Sequence, residues 1–182
     1  MDNISFREFK ETDFLYMYKW LNTDFIKEWY YKRNWTYDEI VMLCTPFVQK
    51  QNTTGEPIQC FIILYNNIEI GYIQICFLKD YPEYKELLQV GDESADIDLF
   101  IGEKDFIHKG LGSIIIKKIL LNIIFENKNI ERCIIAPETE NIIAIKTFQK
   151  VGFKYIKTIQ VPDERGQQYI MELKRNDIKL LI

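Results

Sequence analysis

Asp98, Gly110 and Gly112 are the residues whose types and spacing carry the most chemistry in this chain. Residues 96–112 read DIDLFIGEKDFIHKGLG: a strand-like run at 97–101 ends in polar residues, and Gly110-Leu111-Gly112 then opens a long apolar helix. Glycine lets a backbone come close to a ligand, and the first turn of a helix presents N–H groups without intrahelical partners to an anion. Strand alternation sends Asp98 to the face opposite Ile97 and Leu99. An acid on the strand and a phosphate cradle on the next helix imply two substrates meeting at one site.

The elements that must position these residues follow from hydrophobic periodicity. Residues 4–9 alternate as a short strand. Residues 11–21 read as a helix with Thr12 as N-cap and Phe14, Met17, Tyr18 and Leu21 at helical spacing. An aromatic-rich stretch, 25–35, contains Glu28-Trp29-Tyr30-Tyr31, and a second helix runs from near Thr36 and Asp38 to Val48. A loop at 51–57 precedes two strands, 59–64 and 68–78, joined by an Asn66-Asn67 turn. Residues 80–96 read as an irregular segment in which Asp80, Glu83, Glu86, Asp92, Glu93 and Asp96 face the single base Lys85.

Beyond the strand at 97–101, the glycine-led helix extends to near Glu126, and a buried strand at 132–136 ends at Pro137. A helix at 141–151 is closed by Gly152 in the C-terminal cap position. Strands 154–161 and 168–173 pair antiparallel around a turn at 162–166. The order β-α-α-β-β-β-α-β-α-β-β predicts a mixed α/β fold around a central sheet. With 182 residues and no repeat or linker, the chain reads as one domain with a full core.

Composition narrows the function classes. A hydrophobic content of 47% with 27% charged residues is that of an ordinary globular protein and argues against disorder. A net charge of −4 without a Lys/Arg cluster gives no electrostatic footprint for nucleic acid. The N-terminus lacks a signal-peptide pattern, and the apolar helix is interrupted by Lys117 and Lys118 and too short for a bilayer, so a soluble cytoplasmic protein is expected. Cys44, Cys60, Cys76 and Cys133 are widely separated, without metal-ligand spacing, and read as reduced core residues. His108 has no partner pattern for metal or triad chemistry.

Residues 141–153 read N-x-x-A-x-x-x-F-x-K-x-G-F. With the glycine-led helix, this segment resembles the GCN5-related N-acetyltransferase (GNAT) superfamily, over residues 4–173 and most strongly over 97–153. Within that superfamily the chain is similar to aminoglycoside 6'-N-acetyltransferases. The likeness lies in Lys19-Trp20-Leu21-Asn22 with Glu28-Trp29, in Ile97-Asp98-Leu99-Phe100-Ile101-Gly102, and in Lys109-Gly110-Leu111-Gly112.

The resemblance implies a mostly antiparallel sheet splayed between its fourth and fifth strands and flanked by helices. It also implies acetyl-CoA as co-substrate; no metal is expected from the Cys and His spacing, and a monomer or a homodimer through the closing strand pair is expected. Backbone N–H groups of His108, Lys109, Gly110, Leu111 and Gly112 would hold the CoA pyrophosphate. The main chain of Leu99, Phe100 and Ile101 would pair with the pantetheine arm, and Asn141 and Lys146 would lie toward the far end of the cofactor. Asp98 would bind and position the acceptor ammonium and take its proton. An aminoglycoside acceptor would meet Trp29, Tyr30, Glu83, Tyr84, Asp92 and Glu138, with Glu86, Glu93 and Glu140 as further acids.

Three positions depart from the family pattern. Ile107 stands where Gln or Arg is frequent, Phe148 replaces a tyrosine able to protonate the departing thiolate, and Ala136 replaces an Asp before Pro137. Acetylation of another amine (a polyamine, a protein N-terminus or a siderophore precursor) and a CoA-binding module without turnover are the other readings.

Overall fold

The computed structural model describes residues 3–161 and 166–178, whose contacts gather into two compact units: Met1–Ile75 with Asp98–Lys109, and Cys76–Ile97 with Gly110–Ile182. In the first unit, β1 (Ile4–Glu8), β2 (Gln59–Tyr65) and β3 (Ile68–Phe77) form antiparallel neighbours. Asn66 and Asn67, at φ 50° and 65°, turn β2 into β3. Asparagine tolerates the left-handed region that a two-residue hairpin turn requires, so the expected turn forms.

The first helix begins later than its sequence suggests. A 3-10 turn at Glu11–Asp13 precedes α1 (Phe14–Leu21), and Thr12 is not the cap. The buried Asp13 stands at the cap position, but its carboxylate makes no capping bond to α1 and turns instead to Arg7 and Lys10. It accepts the Lys10 backbone N–H at 2.9 Å and two Arg7 guanidinium bonds at 2.7 Å. A short helix, α2 (Asp24–Lys27), leads to α3 (Tyr37–Val48), where Thr36 and Glu39 form a reciprocal capping box. Trp20, Ile40, Cys44, Ile62, Ile63 and Ile70 fill the core of this unit.

In the second unit, β5 (Arg132–Ile135), β6 (Lys154–Ile159) and β7 (Gln168–Lys174) are joined by antiparallel β5–β7 and β7–β6 pairings. The fourth strand, β4 (Ser94–Ile101), starts three residues earlier than expected, with Ser94 and Ala95 fully buried. Its opening residues run parallel to β5 through the pairs Ser94–Arg132, Ala95–Cys133 and Asp96–Ile134, where the ladder ends. The strands follow the order β1-β2-β3-β4-β5-β7-β6, giving the expected mixed α/β class. The turn expected at 162–166 falls largely outside the described residues.

The acidic segment is not irregular throughout. It contains α4 (Pro82–Leu88), with Pro82 in the first turn and Gln89 capping in the left-handed region at φ 59°. Tyr84 and Leu88, one helical turn apart, pack on Leu78, Ile134 and Ile170. The acid density concealed that two-residue apolar stripe. Helix α5 (Leu111–Ile119) continues as a π-helical turn over Leu120–Ile124. Helix α6 (Ile142–Val151) ends at Gly152, φ 105°, as expected, and a short α7 (Arg175–Ile178) follows β7.

Candidate active site

Asp98 sits half-buried on the part of β4 that belongs to the first unit. Its Oδ1 accepts the Tyr30 hydroxyl at 2.5 Å, and the same hydroxyl lies 3.1 Å from the Leu99 carbonyl. Asp98 and Phe100 are two residues apart on a strand and share a face, so Tyr30 meets both: its ring packs edge-on against Phe100 at 5.3 Å. Phe100 also contacts Trp20 and Tyr72, which ties this face to the core.

Burial pushes the Asp98 carboxyl above the usual aspartate range, against the opposing pull of hydrogen bonds from the Tyr30 hydroxyl and the Leu99 N–H. Burial first, and then the Asp98 charge, holds the Tyr30 hydroxyl far above an ordinary phenol. Tyr72 is raised by burial as well, with a smaller contribution from the same carboxylate. The site is therefore a carboxylate with heightened proton affinity beside phenols that stay protonated. It can receive an ammonium group and accept a proton from it.

The glycine turn has a distinct geometry. His108 and Gly110 both adopt left-handed backbone, at φ 59° and 76°, and both are exposed. A Cβ on Gly110 would meet no atom within 4 Å, so the approach to the first turn of α5 is open. Ser113 folds back to donate to the Gly110 carbonyl at 3.0 Å. Gly112 has a packing reason as well: a Cβ there would lie 3.1 Å from Thr147 Cγ2 on α6. Lys109 lies over the Phe106 ring at 5.8 Å.

The other candidates divide between the units. Tyr30 is brought to Asp98, and Trp29 is half-buried in the same unit. Glu83, Tyr84, Asp92 and Glu138 belong to the second unit. Tyr84 contributes to its core, Asp92 is paired with Lys85, and Glu93 pairs with Arg132 at 3.1 Å. Glu138 forms a bridge to Gln168, while Glu83 is exposed. Asn141 caps α6 by accepting the Ala144 N–H at 3.1 Å, and Lys146 is exposed on that helix. Phe148 is buried against Phe153, with ring centroids 5.3 Å apart.

What sequence reasoning missed is the hydroxyl of Tyr30 as a partner of Asp98. Its ring was an expected surface for sugars, and 68 residues of separation leave no local signal for the pairing. Among the described residues, no group of three His, Cys, Asp or Glu is arranged to hold a metal, and no helix is long and apolar enough to cross a membrane.

A mixed sheet with one parallel pair, a glycine turn opening α5 and an acid on β4 define an acyltransferase class of fold. The chain belongs to the GNAT acetyltransferase family, whose acetyltransferase (GNAT) domain matches residues 10–161. It is 25% identical over 166 residues to the aminoglycoside N(6')-acetyltransferase type 1 of Klebsiella pneumoniae, spanning 89% of this chain and 79% of that protein. An aminoglycoside acetyltransferase solved with coenzyme A superposes with a TM-score of 0.81 at 24% identity, covering 98% of each chain. The spermidine N-acetyltransferase of Vibrio cholerae, solved with CoA and spermine, gives 0.73 at 15% identity over 97% of this chain and 98% of that one.

Proposed function

We propose that this protein is an acetyl-CoA-dependent N-acetyltransferase acting on the 6'-amine of aminoglycosides, and so a resistance enzyme. The observation that carries the reading is Asp98: a half-buried carboxylate of raised proton affinity, held by Tyr30 on the strand that leads to the glycine turn. The open, left-handed Gly110 and the first-turn N–H groups of α5 fit a pyrophosphate, which needs several backbone donors without side chains in the way. The Klebsiella pneumoniae aminoglycoside N(6')-acetyltransferase at 25% identity supports this acceptor class, while the likeness to a spermidine N-acetyltransferase fits the polyamine alternative.

In this mechanism acetyl-CoA supplies the acetyl group as a thioester. The main chain of Leu99 to Ile101 lines up the pantetheine arm, and the first turn of α5 holds the pyrophosphate. Asp98 binds the acceptor ammonium and takes its first proton; burial has moved the carboxyl upward and so narrowed the mismatch with an amine. The neutral amine then attacks the thioester carbonyl, the C–S bond breaks, and the second amine proton leaves the product with solvent. Phe148 has no proton to give, and a thiol of pKa about 8.5 leaves without one. Cys44, Cys60 and Cys133 are poor acetyl carriers: burial pushes the Cys44 and Cys60 thiols to about 12, and that of Cys133 well above its normal value.

The test is CoA release with kanamycin, tobramycin, spermidine and a peptide as acceptors. Turnover with the two aminoglycosides is expected. Turnover confined to spermidine or the peptide would move the acceptor to another amine, and acetyl-CoA binding without turnover on any of them would reduce the protein to a binding module.

A further inference from the structure

We propose that Tyr30 is a positioning residue for the transfer: its hydroxyl fixes the Asp98 carboxylate and sets the pH at which that carboxylate becomes competent. The inference rests on the acetyltransferase reading of Asp98 and adds a second residue to it. Tyr30 approaches with three simultaneous contacts: O–H to Asp98 Oδ1 at 2.5 Å, the same oxygen to the Leu99 carbonyl at 3.1 Å, and the ring edge-on to Phe100 at 5.3 Å. Three contacts to three consecutive residues of one strand leave the hydroxyl little rotational freedom. A carboxylate held by a charge-assisted bond of this kind is oriented before the acceptor arrives.

The backbone that presents Tyr30 is itself constrained. Tyr31 and Lys32 both occupy left-handed conformations, at φ 60° and 39°, which are costly for side chains of this size. Tyr31 packs edge-on against Trp35 at 5.1 Å, Arg33 lies over the same ring at 3.9 Å, and Arg33 also pairs with Glu39 on α3. This local network holds the strained turn in place and the Tyr30 hydroxyl with it. The titratable groups facing Asp98 are Tyr30 from this turn and Tyr72 from β3, both phenols with pKa raised by burial, while the Tyr31 side chain is largely exposed. Of these, Tyr30 is the one that donates a hydrogen bond to the carboxylate.

Replacing Tyr30 by phenylalanine removes the donor and keeps the ring against Phe100. A hydrogen bond to the charged form lowers a carboxyl pKa, so its loss must move the Asp98 titration to higher pH. The experiment follows the Asp98 carboxyl carbon by NMR in the free protein, wild type and Tyr30→Phe, and compares the acid limbs of their kcat/KM profiles with kanamycin. Expected results are an upward move of both the titration and the acid limb, with a fall in kcat/KM of roughly tenfold on the plateau from lost alignment. Far-UV circular dichroism and melting confirm that the variant is folded. An unchanged carboxyl titration would overturn the proposal, and so would a titration that moves while the rate profile does not. Asp98→Asn is run alongside: wild-type turnover in that variant would instead overturn the role of Asp98 itself, whatever Tyr30 does.

Discussion

Trp20 Nε1 donates to Glu103 at 2.8 Å, joining a fully buried indole on α1 to the residue two positions beyond the end of β4. Lys19 reaches the same carboxylate at 2.6 Å. Desolvation opposes ionisation of Glu103, but the bonds from Lys19 and Trp20 win, and its pKa is lowered. A depressed folded-state pKa means a stabilising contribution that is present above the unfolded value and lost as pH falls through the folded one. Glu103→Ala should therefore cost about 1–3 kcal/mol at neutral pH, the range for stranding a buried donor. Urea melts of wild type and variant should converge as the pH drops below the carboxylate range.

Asp98 runs in the opposite direction. Its raised pKa means that ionisation is costlier in the folded chain than in the unfolded one, so its stabilising contribution is present below the unfolded pKa and lost as pH rises through the folded one. Asp98→Asn should raise the melting temperature at neutral pH, with the gain shrinking as the pH falls through the aspartate range. The same change should cut kcat/KM by at least about tenfold, or roughly 1.4 kcal/mol. A variant that is both more stable and fully active would break the link between the strain and the chemistry.

Gly112 tests how far packing and binding share one residue. With its Cβ position 3.1 Å from Thr147 Cγ2, Gly112→Ala sets crowding of α5 on α6 against the roughly 1 kcal/mol that alanine gains over glycine in a helix, so the net change in stability should be small. Thr147→Ser removes the crowded methyl and should release the helix-propensity gain, a non-additivity that a double-mutant cycle in denaturant measures. Weaker acetyl-CoA binding in the repaired double variant would assign Gly112 a part in the phosphate cradle apart from packing.

The three buried thiols, Cys44, Cys60 and Cys133, should be unreactive in the native protein. With Cys44 and Cys60 pushed to about 12, the thiolate fraction at pH 7.5 is about one in thirty thousand. Iodoacetamide labelling followed by peptide mapping should leave Cys44, Cys60 and Cys133 unmodified, and urea should expose all three. Trapping an acetyl-cysteine during turnover would contradict direct transfer.

Arg175 should be a large single contributor to the stability of the second unit. Its guanidinium donates to the carbonyls of Phe125 at 2.5 Å, Asn127 at 2.5 Å and Ile130 at 2.8 Å, behind the π-helical turn that ends α5. Arg175→Met keeps much of the stem but strands these acceptors and should cost about 2–3 kcal/mol in urea melts. Lysine, which lacks the planar fork, should recover little of it.

What was legible in the sequence was local. Thr36 with Glu39, Asn66-Asn67, Asn141 and Gly152 mark their own helix ends and turn, because capping and left-handed backbone depend on the residue and its near neighbours. The glycine turn and the N-x-x-A-x-x-x-F-x-K-x-G-F segment identified the family for the same reason. Helix α4 was lost because Tyr84 and Leu88, its apolar stripe, stand among acids, and acid density reads as solvent exposure. Thr12 does not cap α1 because the chain enters the helix through a 3-10 turn at Glu11–Asp13, which puts Asp13 at the boundary.

The sequence by itself determined that Asp98 stands on a strand shortly before a glycine-led helix, since spacing along one segment is all that requires. Only tertiary structure decided what kind of acid it is. Proton affinity depends on which groups surround a carboxyl and how much water they displace, and those groups, Tyr30 and Tyr72, come from distant parts of the chain.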